Sequence, residues 1–161
     1  MLPLNGNKLL GLITQNIDGL HEKSGLPKHI LVNIHGTNLE VICMKCKDIT
    51  PAHETLDDLN LDNGAPLCTK CAGLLKPNTI SFGQSLIEED LERAQDLALS
   101  CDMMIAAGST LVVQPAAAFP LLAKQNGASL AIITQSDTPL DDAADFVFHE
   151  KLGDFMERLG S

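Results

Sequence analysis

Cys43-Met-Lys-Cys46 and Cys68-Thr-Lys-Cys71 are two Cys-x-x-Cys knuckles, separated by a loop long enough to fold back. One tetrahedral ion can take all four sulfurs, and the spacing is that of a structural zinc site. Four thiolates leave no open position for water, so the metal is expected to hold shape and not to do chemistry. Disulfides are the plain alternative. The amino terminus, however, carries neither a basic leader nor an apolar signal core, and a cytosolic chain keeps its thiols reduced. A redox Cys-x-x-Cys is the other alternative, but two copies with Lys and Thr between the sulfurs fit zinc better. The fifth cysteine, Cys101, opens an apolar stretch and reads as core.

A second group of polar residues sits where strands should end. Leu9-Leu-Gly-Leu-Ile13 empties into Thr14-Gln-Asn-Ile-Asp-Gly-Leu-His21. Open α/β sheets bind ligands at the carboxyl ends of their strands, which makes Gln15, Asn16 and Asp18 candidates for ligand contacts. A turn reading stands beside this one, because Asn and Asp cap helices and Gly19 permits an unusual φ. His35 follows the run His29-Ile-Leu-Val-Asn-Ile34 and precedes Gly36, a position suited to a general base. His21, His29, His53 and His149 have no such neighbours and read as ordinary hydrogen-bonded side chains. Gly108-Ser-Thr110, after a strand and before a helix, is a place for nucleotide oxygens, although the same triplet occurs in ordinary turns.

The elements that must position these groups alternate. Leu9–Ile13 reads as a strand buried on both faces, His29–Ile34 as a second strand and Asp102–Ala107 as a third, buried one, with Ser129–Ile133 and Asp145–Phe148 completing the set. Ser85-x-x-Glu88 is a capping box for a helix bearing Ile87, Leu91, Ala94 and Ala98 on one face. Pro115 can start a second helix, with Pro120 predicting a kink or a late start and Gly127 just past its end. Asp154–Leu159 reads as a terminal helix. This alternation predicts an α/β fold with a Rossmann-like parallel sheet. Residues 1–40 and 77–161 would form that domain and 41–76 a small inserted zinc-ribbon module. The module's inner loop, Asp48 to Pro66, is polar and lacks a core, so its fold should depend on the metal.

Composition narrows the function. The chain has 161 residues, 45% hydrophobic and 20% charged, which is globular. No apolar run is long enough to span a membrane. The formal charge of -10 argues against a duplex-DNA role, which needs clustered Lys and Arg. With no Trp or Tyr and five Phe, stacking platforms for single strands are scarce as well. A cytoplasmic location is the expectation.

Taken together, six motifs in this order resemble the sirtuins, the NAD-dependent protein-lysine deacylases. They are Thr14-Gln-Asn-Ile-Asp-Gly-Leu-His21, Ile34-His-Gly36, the paired Cys-x-x-Cys, Phe82-Gly-Gln84, Gly108-Ser-Thr-Leu-Val-Val-Gln-Pro115 and Thr138-Pro-Leu-Asp-Asp142. The resemblance implies NAD and zinc as cofactors and an acylated-lysine protein or peptide as partner. It also implies a Rossmann-like domain whose cleft against the zinc ribbon brings NAD and acyl-lysine together. His35 matches the catalytic histidine, which takes a proton from a ribose hydroxyl after nicotinamide has left. Asn16 matches the residue that orients ribose and water, Gln15 its ribose-contacting neighbour, and Asp18 the carboxylate of the nicotinamide pocket. Gly108, Ser109 and Thr110 match the turn that contacts phosphate and ribose. Thr134 stands where the family has Asn for the adenosine ribose. Ile80, Phe82 and Gly83 match the strand on which substrate peptide lies by β-augmentation.

Departures from the family pattern carry their own expectations. The family's Gly-Ala-Gly phosphate loop and the Arg-bearing loop after it do not precede Leu9; the only glycine there is that of Asn5-Gly6-Asn7. The sheet is therefore expected to be incomplete at its amino-terminal side, with weak NAD binding, little turnover, and self-association through the open slot. Gln84 replaces the usual Glu, Ser109-Thr110 reverses the usual Thr-Ser, and Ser136 stands in place of Glu. Two alternatives remain beside the deacylase: mono-ADP-ribosyl transfer, and a non-catalytic zinc-containing protein-binding fragment.

Overall fold

The computed structural model describes residues 9–56, 64–81 and 83–160. They fall into two units, Leu12–Asp90 in one and Leu91–Ser161 with the residues up to Gly11 in the other.

In the first unit, β1 (Leu12–Thr14) and β2 (Leu31–Asn33) pair in parallel, with Ile13 opposite Val32. They are joined by the short helix α1 (Leu20–Lys23) and a single 3-10 turn at Lys28–Ile30. Both strands are shorter than their apolar runs predict. Leu9 and Leu10 are exposed and lie outside the strand, because β1 has a partner on one edge among the described residues and nothing there draws the run inward. Val32 and Ile34 are buried and form the local core.

The chain then enters an antiparallel sheet of order β4-β3-β5, built from β3 (Gly36–Cys43), β4 (Ile49–Pro51) and β5 (Leu75–Thr79). Gly36 pairs with Thr79 at one end and Cys43 with Leu75 at the other, with a register shift between Thr37 and Val41. Thr37, Val41 and Cys43 are the buried residues of the middle strand. Within the polar inner loop, β4 and the helix α2 (Ala52–Leu56) follow the first knuckle. Thr50 and Ala52 face inward there, giving this short segment a strand partner in β3. The remainder of that loop, residues 57–63, lies outside the described residues.

In the second unit, β6 (Met103–Ala107), β7 (Ser129–Ile133) and β8 (Phe146–Phe148) form a parallel sheet of that order. The central strand carries the core: Leu130 and Ile132 are fully buried against Ala106, Leu111 and Ala117, with Met104, Leu140 and Ala144 packed around them. Helix α4 (Ala118–Gln125) makes the crossover from β6 to β7. It starts late, with Pro120 in its first turn, where a missing N–H costs nothing. Gly127, at φ 99°, ends the connection in a conformation that other residues rarely adopt.

Helix α3 (Glu88–Ser100) opens on Glu88, Glu89 and Asp90, which suit the positive end of its dipole, and buries Ala94 and Ala98. It begins later than the capping box implies, so Ile87 precedes the helix and is exposed. Strand β6 is likewise not buried on both faces. Met103 and Ile105 are exposed because, among the described residues, β6 lies at the sheet's edge and one of its faces is uncovered. Helix α5 (Leu152–Leu159) starts two residues early, with Phe155 against Phe148 at 4.9 Å between ring centroids.

Candidate functional site

The four knuckle cysteines converge. Cys43 Sγ lies 3.5 Å from Cys71 Sγ and Cys46 Sγ lies 3.7 Å from Cys68 Sγ. All four ligand atoms fall within 4.8 Å of one another. A tetrahedron with Zn–S bonds of about 2.3 Å has edges of about 3.8 Å, so the sulfurs stand almost where zinc requires them.

Backbone geometry prepares the cage. Each knuckle closes on itself, Lys47 N–H donating to the Cys43 carbonyl and Ala72 N–H to that of Cys68. Cys46 N–H points at Cys43 Sγ, 3.5 Å away. A Cβ at Gly73 would lie 2.8 Å from Cys43 Sγ and 3.2 Å from Cys71 Sγ, so the cradle admits only glycine. This residue escaped the sequence reading, although a glycine two positions past a zinc knuckle is a signal that could have found it.

The thiols do not titrate alike. The backbone N–H of Cys46 above all, opposed in part by burial, holds Cys43 down at about 6. Cys46 receives a downward pull from the backbone N–H of Asp48, yet the adjacent Cys71 and Cys43 thiols and burial push it up to about 12. Four negative sulfurs this close need a cation to ionise together, and a dication meets that need.

The catalytic candidates of the first unit gather around the ends of β1 and β2. Thr14 is buried, and its Oγ1 accepts from Asn16 N–H at 3.1 Å, which fixes the backbone of the loop while Asn16 itself stays exposed. Asp18 Oδ1 accepts from Leu20 N–H at 3.0 Å and so starts α1; the turn reading and an exposed carboxylate hold together here. Gly19, at φ 72°, packs so closely on Leu39 that a Cβ would come within 2.6 Å of it. His35 stands past β2, half-buried, with Nδ1 3.3 Å from the carbonyl oxygen of Gln15. Ile80 N–H donates to the His35 carbonyl at 2.9 Å, which sets the end of β5 beside the histidine. Gly83 is exposed with φ 81°, and Phe82 lies outside the described residues.

In the second unit, Gly108, Ser109 and Thr110 lie in the turn after β6. Gly108, at φ 63°, donates its N–H to the Ile133 carbonyl, and Ser109 Oγ accepts from Leu111 N–H at 3.2 Å. Thr110 is exposed. Thr134 is buried at the end of β7, its N–H donating to the Phe148 carbonyl. The Thr138-Pro-Leu-Asp141 motif closes on itself: Asp141 accepts from Thr138 Oγ1 at 2.6 Å and from Thr138 N–H at 3.1 Å.

The chain is similar to known proteins over most of its length. The family profile described as the Sir2 family matches residues 4–115. NAD-dependent protein deacetylase 1 of Bradyrhizobium diazoefficiens is 42% identical over 149 residues, covering 92% of this chain and 58% of the relative. The NAD-dependent protein deacylase of Aquifex aeolicus is 36% identical over 148 residues, covering 92% and 59%. Among solved structures, a Sir2–p53 peptide–NAD+ complex superposes with a TM-score of 0.84 at 34% identity, covering 92% of this chain and 61% of that one. A Sir2Tm structure bound to a propionylated peptide also gives 0.84, again at 34% identity. The chain spans about three fifths of the length of the relatives it matches. With the profile matching well over half its residues, and with parallel strands flanking a four-cysteine module, the chain belongs to the Sir2 family.

Proposed function

We propose that this chain carries the catalytic residues of an NAD-dependent protein-lysine deacylase. The observation that carries the proposal is the contact between His35 Nδ1 and the Gln15 carbonyl. A carbonyl only accepts, so the proton of the neutral ring belongs on Nδ1, leaving Nε2 with its lone pair free. A half-buried imidazole fixed in that tautomer is ready to take a proton from a hydroxyl.

Bound NAD would supply the electrophilic ribose carbon and the nicotinamide leaving group. Asn16 is assigned to orienting ribose and water, Gln15 to the ribose, and Asp18 to the nicotinamide amide. In the other unit, the assignment of Gly108, Ser109 and Thr110 to phosphate and ribose rests on their place between a parallel strand and the helix that follows, with Thr110 exposed. Thr134 is assigned to the adenosine ribose. Ile80, Phe82 and Gly83 are assigned to the acylated peptide, which would continue the β-structure beside His35. Residues 1–40 with 77–161 would then be the nucleotide-binding domain, and Cys43, Cys46, Cys68 and Cys71 would hold zinc within residues 41–76. A cytoplasmic setting suits reduced zinc thiolates.

A non-catalytic role has one specific observation in its favour. Among the described residues β6 is an edge strand, with Met103 and Ile105 exposed, and such an edge invites another chain or a second copy.

Titrating NAD into the zinc-loaded protein, with metal content determined on the same sample, separates the two readings. Micromolar-to-millimolar binding that is lost in Asn16→Ala or Thr110→Ala supports the enzyme. A folded, zinc-loaded sample that gives no heat, and that light scattering shows to be a dimer, supports the binding fragment.

A further inference from the structure

Three side chains of the second unit converge away from the cysteine cage. Asp137 and Asp141 come from the segment after β7, and His149 directly follows β8. His149 Nε2 lies 3.2 Å from Asp141 Oδ2 and 3.6 Å from Asp137 Oδ1. The three ligand atoms all lie within 4.8 Å of one another. We infer that Asp137, Asp141 and His149 form a binding site for a divalent first-row cation of the Mn²⁺ type, with water completing its coordination.

His149 pairs with Asp141 at the surface, and the exposed Asp137 brings a second carboxylate to the same nitrogen. Nε2 has a single hydrogen-bonding direction, so it can serve one carboxylate and not two. The second carboxylate is then left facing the first, and like charges at this range repel. A dication between them removes that repulsion and uses the nitrogen lone pair as well.

The spacing agrees. Ligands at about 2.1 Å from an ion stand about 3.0 Å apart at right angles and about 3.4 Å apart at the tetrahedral angle. The observed 3.2 and 3.6 Å need only small side-chain shifts. Asp141 is already oriented, because Thr138 donates to it through both Oγ1 and backbone N–H, as outer-shell groups hold metal-binding carboxylates. The two strand ends that carry the ligands are themselves joined, by Thr134 N–H donating to the Phe148 carbonyl. One imidazole and two carboxylates are a hard-to-borderline donor set, distinct from four thiolates, so the two clusters select different ions. A bound cation would tie the segment following Thr134 to the end of β8.

Mn²⁺ alone is the probe, since oxygen and nitrogen donors take it and the cysteine cage disfavours it. It is titrated into the zinc-loaded full chain, and the free-ion signal is followed by electron paramagnetic resonance. The site predicts one saturable Mn²⁺ per chain, weakened by about tenfold or more in His149→Gln and in Asp137→Asn. Asp142→Asn, which alters an exposed acidic neighbour outside the triad, should bind as the wild type does. Paramagnetic broadening of amide resonances provides a readout that does not depend on the variants. Broadening confined to residues 136–142 and 148–150 supports the site. Broadening centred on Glu88, Glu89 and Asp90, wild-type affinity in His149→Gln, or no saturable binding at millimolar Mn²⁺ would overturn it.

Discussion

His35 Nδ1 lies 3.3 Å from the backbone carbonyl of Gln15, so the loop that leaves β1 fixes the tautomer of the histidine that follows β2. The parallel pairing of β1 with β2, Thr14 opposite Asn33, brings these two strand ends together from twenty residues apart in sequence.

The first prediction concerns that histidine. In a protein spanning the relatives' full length, His35→Ala should lower NAD-dependent deacylation by about 10²-fold or more, the range for loss of a general base. Its fold should survive, because the side chain gives up a single hydrogen bond, worth about 1 kcal/mol. Steady-state kinetics beside circular dichroism measure both, and retained turnover sinks the assignment.

Zinc should be structural. Cys43→Ser or Cys71→Ser is expected to release the metal and lower the melting temperature, since the short strands around the cage have little core beyond Val41. Gly73→Ala should do the same more mildly, its Cβ pressing on Cys43 Sγ and Cys71 Sγ. Mass spectrometry under native conditions reads the metal. A wild-type melt in a metal-free Cys71→Ser sample would refute the role.

Gly36 makes a prediction independent of metal or cofactor. It has φ 75°, and a Cβ there would lie 2.2 Å from the Asn78 carbonyl oxygen, inside the β3–β5 pairing. Gly36→Ala should destabilise the chain by about 2 kcal/mol or more, through left-handed strain added to backbone displacement. Urea unfolding measures it; a change below a few tenths would show that this junction is looser than described.

Acid sensitivity should map to Asp145. The Lys124 ammonium at 2.6 Å, then the Leu130 N–H, holds its carboxyl below the ordinary value of 3.8. A group depressed on folding stabilises above its unfolded pKa and loses that contribution as pH falls through the folded one. The stability difference between wild type and Asp145→Asn should therefore be full from about pH 5 upward and fade below about pH 4. A difference that grows on acidification would contradict the pairing.

Core packing supplies the last prediction. Leu130 is fully buried in the middle of the parallel sheet, and Leu130→Ala should cost about 2–5 kcal/mol, read as a shift of the urea midpoint.

The sequence alone determined the four-cysteine cluster and the class of fold. The two Cys-x-x-Cys knuckles need only their local spacing to state a metal, and β7 announces itself because a central strand must be apolar on both faces. Apolarity alone could not say where the other strands stop. Leu9-Leu10 and Met103-Met104-Ile105 look as buried as Ser129–Ile133, yet tertiary structure leaves Leu9, Leu10, Met103 and Ile105 exposed, since burial depends on what covers a face. Pairing also decided the contacts that span the chain. Gln15 behind His35, and Asp137, Asp141 and His149 around one point, are separated in sequence, and only the register of the strands brings them within reach. His149, just past β8, shows the limit most plainly: alone it reads as an ordinary side chain, because its meaning lies in two carboxylates from the segment that follows β7.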